Sequence, residues 1–302
     1  MAHHVLVGGG TGFIGKALCT YLKGHCCDVT VVSRMPGPRH VSWLQLEQYG
    51  LPDGITAVIN VAGQNVLDPT RRWTPGFKQN VYSSRINTSK CLAKCITNSK
   101  IKPKVFIGIT GVSSYPLNTD KPVSENFGKP EVRNFDFMNH LCSEWEHALR
   151  LPPGCQTRQV VLRTGVVLGR DGGMIKQLII PFWLGLGGPV GKGTQPLPWI
   201  HIDDLTSLIW FCIKEEKLNG IVNAVSPHII TNNDFTQEFA KALYRPAFIP
   251  VPESLLNLVF NEERAVLLTT GPKVEPKRAP EFGFVYKYPD IKSACREVAH
   301  LF

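Results

Sequence analysis

The residues of this chain best suited to chemistry sit in two short stretches near its N-terminus. The first is Val5-Leu-Val-Gly-Gly-Gly-Thr-Gly-Phe-Ile-Gly15, whose glycines fit both Gly10-x-Gly12-x-x-Gly15 and Gly9-x-x-Gly12-x-x-Gly15. An apolar, β-branched run precedes the glycines and a helical pattern comes after them, the context in which such spacing carries meaning. A turn without Cβ atoms tightens, admits a pyrophosphate to the backbone, and lets the next helix lie close on the strand, while the helix N-terminus offers N–H groups and a positive dipole. Gly9, Gly10, Thr11, Gly12, Phe13, Ile14 and Gly15 are therefore the expected seat of a dinucleotide pyrophosphate. The second stretch is Ser33-Arg34, at the end of the apolar run Val29-Thr-Val-Val32. A site for NAD usually places a carboxylate about 20 residues beyond the glycines, to bind the ribose 2′-hydroxyl. An arginine there suits a 2′-phosphate instead, being charged and fork-shaped, and the serine adds a hydroxyl donor. The expected cofactor is NADP(H).

These residues need a sheet to hold them. Ala17, Leu18, Tyr21 and Leu22 give the first helix an apolar face that closes at Gly24, so the chain opens as a βαβ unit. Thr56-Ala-Val-Ile-Asn-Val-Ala-Gly63, Lys104-Val-Phe-Ile-Gly-Ile-Thr-Gly111 and Arg158-Gln-Val-Val-Leu-Arg-Thr-Gly-Val-Val-Leu-Gly169 are near-continuous apolar runs, as parallel strands buried on both faces should be. A long helix is read through Phe77, Val81, Ile86, Leu92 and Ile96, a short strand over Gly220–Ser226 and a helix from Asn233 to Leu243. Asp203 or Asp204 reads as the N-cap of a helix from Leu205 to Lys214. The expected fold is α/β, a Rossmann-type doubly wound parallel sheet with a smaller C-terminal substrate lobe. Residues 1–168 would form the NADP-binding core and 169–302 the lobe and C-terminal extension, interleaved with the core near 221–226.

Composition narrows the class. With 302 residues and 43% hydrophobic content the chain can bury a large core. Its net charge of +9 comes from 33 Lys and Arg scattered singly, which favours anionic ligands and argues against a nucleic-acid partner. Nine cysteines without a Cys-x-x-Cys pair read as reduced thiols, with no metal site. No apolar run approaches the roughly 20 residues that span a bilayer, and no charged leader stands before one. The reading is a soluble intracellular protein of the cytoplasm or an organelle matrix, with a small-molecule substrate and no membrane partner. Oligomeric state stays open.

The strand end Asn60-Val61-Ala62-Gly63 resembles that of the short-chain dehydrogenase/reductase superfamily, in its extended, epimerase/dehydratase-like branch. The resemblance implies that Val61, Ala62 and Gly63 lie beside the adenosine half of the cofactor, that Asn80 and Arg85 reach it from the long helix, and that Val166 and Val167 line the nicotinamide. It also implies a catalytic Ser or Thr at the end of the strand through Ile109, for which Thr110 and Ser113 are candidates. The superfamily's Tyr-x-x-x-Lys pair should stand on the next helix, where this chain instead carries Phe137 and Leu141. Tyr288-x-x-x-Lys292 has Pro289 inside it and reads as chance. A substitute proton donor would come from Tyr115, with His140 assisting, or from Thr110, Ser113 or bound water.

Gly185-Leu-Gly-Gly-Pro-Val-Gly-Lys-Gly-Thr-Gln195 reads as a glycine-rich loop, and Pro198-Trp-Ile-His-Ile-Asp-Asp-Leu205 resembles the segment by which extended members tie the substrate lobe to the nucleotide domain; with the loop entering the cleft that the resemblance implies, Lys192, Gln195 and His201 are candidates for substrate contact. The tail from Pro250 resembles the C-terminal extension of an atypical branch, the epimerase-family proteins. The expected function is that of an NADP-dependent oxidoreductase acting on a small organic substrate without the usual catalytic pair. The alternatives are a non-catalytic NADP(H)-binding protein that senses redox state or acts as a scaffold, and a sugar-nucleotide epimerase.

Overall fold

The first strand fixes the architecture, because it pairs on both sides. In the computed structural model, which describes residues 3–35, 37–117, 119–127 and 136–299, β1 (His4–Gly8) runs parallel to β2 (Asp28–Val32) on one edge and to β4 (Ala57–Asn60) on the other. The remaining strands of this sheet are β3 (His40–Val41), β5 (Val105–Gly111), β6 (Arg158–Thr164) and β9 (Gly220–Ala224). Seven strands, all parallel, stand in the order β3-β2-β1-β4-β5-β6-β9. The order reverses between β1 and β4, where an open α/β sheet has its ligand crevice, at the carboxyl ends of the strands. Val5, Leu6, Val7, Val58, Ile59, Phe106 and Ile107 are fully buried, which is why these runs show no alternation of polar and apolar residues.

Helices α1 (Phe13–Gly24), α2 (Trp43–Tyr49), α3 (Pro75–Asn98) and α4 (Phe137–Leu149) cover the sheet. α1 buries Gly15, Leu18, Cys19 and Leu22, the spacing of a single helix face. α3 starts where Thr74 caps the N–H of Phe77 and Pro75 takes the first turn, and α4 starts at Asp136, whose carboxylate accepts the N–H groups of Met138 and Asn139. β3 and α2 escape a sequence reading, since a two-residue strand and a seven-residue helix are too short to establish a period.

Beyond β6 the chain leaves the sheet at Gly165, where a Cβ would sit 2.5 Å from the carbonyl oxygen of Pro198. There β7 (Val166–Leu168) pairs in parallel with β8 (Trp199–His201). Around this ribbon lie α5 (Gly173–Trp183), α7 (Asn232–Ala242) and α11 (Ile291–Val298), while α8 (Glu253–Phe260) and α9 (Glu262–Thr269) pack on each other in the tail. Leu168, Phe182, Trp199, Phe235, Phe239, Ile291 and Cys295 form a second apolar core around the ribbon. α6 (Ile202–Lys214), β9 and the short α10 (Arg278–Glu281) return to the main core through Leu205, Leu208, Val222 and Ala279, so the lobe and the sheet share one chain path.

The start of α6 corrects an expectation. Its cap is His201, whose Nδ1 accepts the N–H of Asp203 at 3.2 Å, an imidazole nitrogen without hydrogen being an acceptor. Asp204 instead holds the tail, accepting the backbone N–H groups of Lys287 (2.7 Å) and Tyr288 (2.9 Å). Tyr288 precedes α11, which Asp290 caps, so Tyr288 and Lys292 do not share a helix. All nine cysteines are free thiols.

Candidate cofactor and active site

The glycines of the N-terminal turn sort by what demands them. Gly9 has a φ of +82°, and a Cβ on it would lie 2.6 Å from Ala62 Cα. Gly10 packs so near Val31 that a Cβ would stand 2.8 Å from both methyl groups, and a Cβ on Gly15 would collide with the carbonyl oxygen of Gly9. The fold itself requires these. Gly12 is different. Its φ of −78° and ψ of 179° suit any residue, and a Cβ there would meet only Gly9 O, at an ordinary 3.4 Å. It stands exposed at the N-cap of α1 with no side chain on the helix N–H groups. Bare N–H groups behind an exposed glycine that packing does not need form a cradle for an anion.

Phe13 is held from the other side of the crevice. A Cβ on Gly169 would sit 2.8 Å from its ring and one on Gly173 3.3 Å, while one on Gly172 would collide with it. Gly169, Gly172 and Gly173 come directly after β7, so this second glycine cluster locks the N-terminal glycine turn to the segment that carries Val166 and Val167, both half-buried.

At the tip of β2, Ser33 is buried, with its hydroxyl accepting the N–H of Met35 (3.1 Å) and hydrogen-bonded to Thr11 Oγ1 (3.2 Å). Arg34 beside it is exposed and makes no hydrogen bond or ion pair among the described residues. Ser33 thus joins the tip of β2 to the glycine turn and leaves the Arg34 guanidinium beside it for a ligand.

At the end of β4, Asn60 shapes the backbone. Its Oδ1 accepts the N–H of Ala62 (3.2 Å) and its Nδ2 donates to Ser89 Oγ (3.0 Å) on α3. Val61 is half-buried, Ala62 buried and Gly63 exposed. Arg85 lies under Gly63, where a Cβ would be 3.1 Å from its Cζ, and over the Trp145 ring at 5.0 Å. Its Nη1 donates to Val81 O, its Nε has no partner among the described residues, and burial lowers its pKa to about 10. Asn80 is exposed on an earlier turn of α3, its side chain without a partner among the described residues.

The three candidate hydroxyls part ways. Thr110 is buried and donates to Glu146 Oε1 at 3.4 Å. Tyr115 is fully buried, donates to Asn223 Oδ1 at 2.8 Å, and carries the Arg163 guanidinium on its ring at 4.7 Å; burial raises its pKa. Both belong to an internal network, and neither is placed as a proton donor in the crevice. At its centre Glu146 accepts two hydrogen bonds from Arg163, Nε to Oε1 at 2.7 Å and Nη2 to Oε2 at 2.9 Å, and a third from Ser114 at 3.2 Å. Ser113 is half-buried at the strand tip, its carbonyl oxygen accepting from Asn139 Nδ2 at 2.9 Å.

Phe137 packs edge-on to Trp73 and Leu141 is fully buried, so the usual catalytic slots hold no proton carrier; His140 is exposed. Glu146, Arg163 and Asn139 were missed from sequence. The available signal was Arg163, a charge inside an otherwise apolar strand that had to find a partner.

The three substrate-contact candidates also separate. His201 is fully buried, with Nε2 donating to Glu297 Oε2 at 2.7 Å and the Tyr288 ring at 4.0 Å, so it fastens α11 rather than facing a ligand. Gln195 Nε2 donates to the carbonyl oxygens of Val190 (3.1 Å) and Leu268 (2.9 Å), stitching the 185–195 loop to α9. Lys192 is exposed in a cavity of about 440 Å³ that Lys273, Thr269 and Thr270 also line. From the tail, buried Arg264 donates to the carbonyl oxygens of Asp68 and Arg71, both at 2.7 Å, and lies over Trp73 at 5.5 Å, fixing the loop beyond β4. Among the described residues no group of three His, Cys, Asp or Glu side chains is placed to hold a metal ion.

Residues 5–224 match the NAD dependent epimerase/dehydratase family, and residues 251–298 match a domain of unknown function, DUF1731. The chain is 45% identical over 295 residues to the mouse epimerase family protein SDR39U1, covering 97% of this chain and 99% of the relative. A chloroplastic homolog of that protein in Arabidopsis thaliana is 33% identical, with 97% and 86% covered. A crystal structure of human SDR39U1 (isoform 2) with NADPH superposes with a TM-score of 0.94 at 44% identity, covering 98% of this chain and 99% of that one. Fold, N-terminal turn and C-terminal extension all agree with these matches, and the chain belongs to the NAD dependent epimerase/dehydratase family.

Proposed function

We propose that this chain binds NADP(H) and uses it as an oxidoreductase on a small organic substrate. The observation that carries the reading is Gly12, a bare helix cap that neither backbone conformation nor packing requires, with Arg34 exposed and without a partner among the described residues at the neighbouring strand tip. The crystal structure of the human relative with NADPH supports the same cofactor. In this reading the N–H groups at the start of α1 hold the pyrophosphate, Arg34 and Ser33 take the 2′-phosphate, Val61, Ala62 and Gly63 flank the adenosine, and Val166 and Val167 press on the nicotinamide. The bound cofactor supplies hydride chemistry, and the protein's part is to position the partners and exclude water. Ser113 hydrogen-bonds the substrate oxygen from the end of β5.

With Phe137 and Leu141 in the usual catalytic slots, turnover forgoes the general-acid assistance that is typically worth about 100- to 10,000-fold. Those two apolar residues, with Thr110 and Tyr115 committed to the core, favour a second reading, an NADP(H)-binding protein that does no chemistry. NADPH oxidation by the purified protein against a panel of small carbonyl compounds separates the two. The oxidoreductase reading expects slow, substrate-dependent oxidation that drops about tenfold in Ser113→Ala, the loss of one hydrogen bond of about 1.4 kcal/mol, with NADPH affinity unchanged. Tight NADPH binding with no oxidation of any substrate would leave the binding reading in its place.

A further inference from the structure

The substrate lobe ends in an apolar ridge that the cofactor site does not use. Trp183, Leu184 and Leu186 at the end of α5 are exposed, and so are Tyr244, Phe248 and Ile249 on the segment after α7, with Phe248 at 76% and Tyr244 at 90%. The two segments form one protrusion, because Arg245 Nε donates to Trp183 O at 2.7 Å and the N–H of Ile249 to Gly187 O at 3.4 Å. So many large apolar side chains side by side exceed the scatter normal on a soluble surface.

Against this ridge opens a cavity of about 690 Å³ that shares Trp183 and Tyr244 with it and is also lined by Lys241, Lys292 and Arg296. Its one acid is Glu238, which pairs with Lys241 at 2.7 Å. Lys292 and Arg296, one turn apart on α11, are exposed and make no ion pair among the described residues. Arg245 adds a further cation over the Trp183 ring at 5.6 Å.

We propose that this end of the lobe docks on an anionic phospholipid bilayer, with the ridge in the headgroup boundary and a lipid phosphate in the basic cavity. Tryptophan and tyrosine favour that boundary because each pairs an apolar body with a polar tip, and lysine and arginine stems lie along apolar surface while their charges reach the phosphates. A second copy fits the surface worse. A two-fold interface sets a patch against itself, which would bring the cations of both copies together with Glu238 as the one acid lining the cavity of each. The contact is peripheral, since no described helix is long and apolar enough to cross a membrane. It revises the expectation of no membrane partner and is independent of the cofactor reading.

The test is co-sedimentation of the full chain with vesicles of phosphatidylcholine plus phosphatidylserine, and with phosphatidylcholine alone. Binding is expected to the anionic vesicles and not to the neutral ones, and to fall as salt rises. Lys292→Gln with Arg296→Gln should weaken it about twenty-five-fold, at about fivefold for each cation near an anionic surface. Phe248→Glu should abolish it, and both variants should melt at the wild-type temperature. Equal binding to both vesicle types, no binding to either, or full binding by the variants would overturn the proposal. So would binding of inorganic phosphate in the cavity without vesicle binding, or a dimer that Phe248→Glu dissociates while vesicles are ignored.

Discussion

Gly12→Asp is expected to lose NADPH binding while leaving the protein as stable as before, or slightly more so. The two effects separate because Gly12 occupies the N-cap of α1 in an extended conformation, φ −78° and ψ 179°, that an aspartate adopts without strain. A Cβ there meets no atom closer than 3.4 Å. Aspartate is among the best N-cap residues, worth a few tenths of a kcal/mol over glycine, and its charge complements the helix dipole. The same carboxylate takes up the N–H groups that would hold the pyrophosphate and places a negative charge against it. Losing two hydrogen bonds to a charged group, at about 1.5 kcal/mol or more each, lowers affinity about a hundredfold before repulsion is counted. Fluorescence titration with NADPH and thermal melting of the same sample read both. Gly15→Ala is the contrast: its Cβ collides with the carbonyl oxygen of Gly9, so binding and stability should fall together. Gly12→Asp binding within tenfold of wild type, or a melting temperature lowered by several degrees, would sink the argument.

Glu146→Leu is expected to be the most destabilising single change in the crevice wall. Arg163 is 1% exposed and holds both Glu146 oxygens, so removing the carboxylate strands a buried charge. Burial opposes the charge on Arg163, yet the hydrogen bonds and charge of Glu146 outweigh it, and the net direction of its pKa is up. Thr110 also loses its acceptor, while Ser114 keeps the carbonyl oxygen of Gly111 at 3.1 Å. Breaking one side of a buried pair costs about 3–5 kcal/mol, whereas replacing both partners with apolar groups of similar volume is often neutral. Urea denaturation should therefore show a large loss in Glu146→Leu and recovery of most of it when Arg163→Met is added. A loss under about 1 kcal/mol in the single variant, well below the range for a broken buried pair, would mean that the pair does not hold the strand tips together.

How much of this was legible in the sequence depends on the range of the interactions. The parallel sheet and the glycine turn are local facts: apolar runs such as Ala57–Asn60 have no alternation because both faces are covered, and glycine spacing is a property of a few adjacent residues. The position of Arg34 just past the end of β2 is a local fact of the same kind. The fate of the hydroxyls is not. β5 is buried on both faces from Val105 through Thr110, so alternation cannot tell which side chain turns toward the crevice. The acceptor of Thr110 stands on α4 and that of Tyr115 on β9, contacts that only the folded chain creates. His201 misled in the same way, since its partner Glu297 lies on the last helix.

The most direct measurement is a pair of equilibrium titrations, NADPH and NADH, on the wild-type protein and on Arg34→Ala. NADPH should bind the wild type about tenfold to a hundredfold more tightly than NADH, the worth of one or two charge-assisted hydrogen bonds to the 2′-phosphate, and Arg34→Ala should erase the difference by weakening NADPH alone. NADH binding as tightly as NADPH, or a preference that survives the loss of Arg34, would contradict the assignment of this chain as an NADP(H) protein.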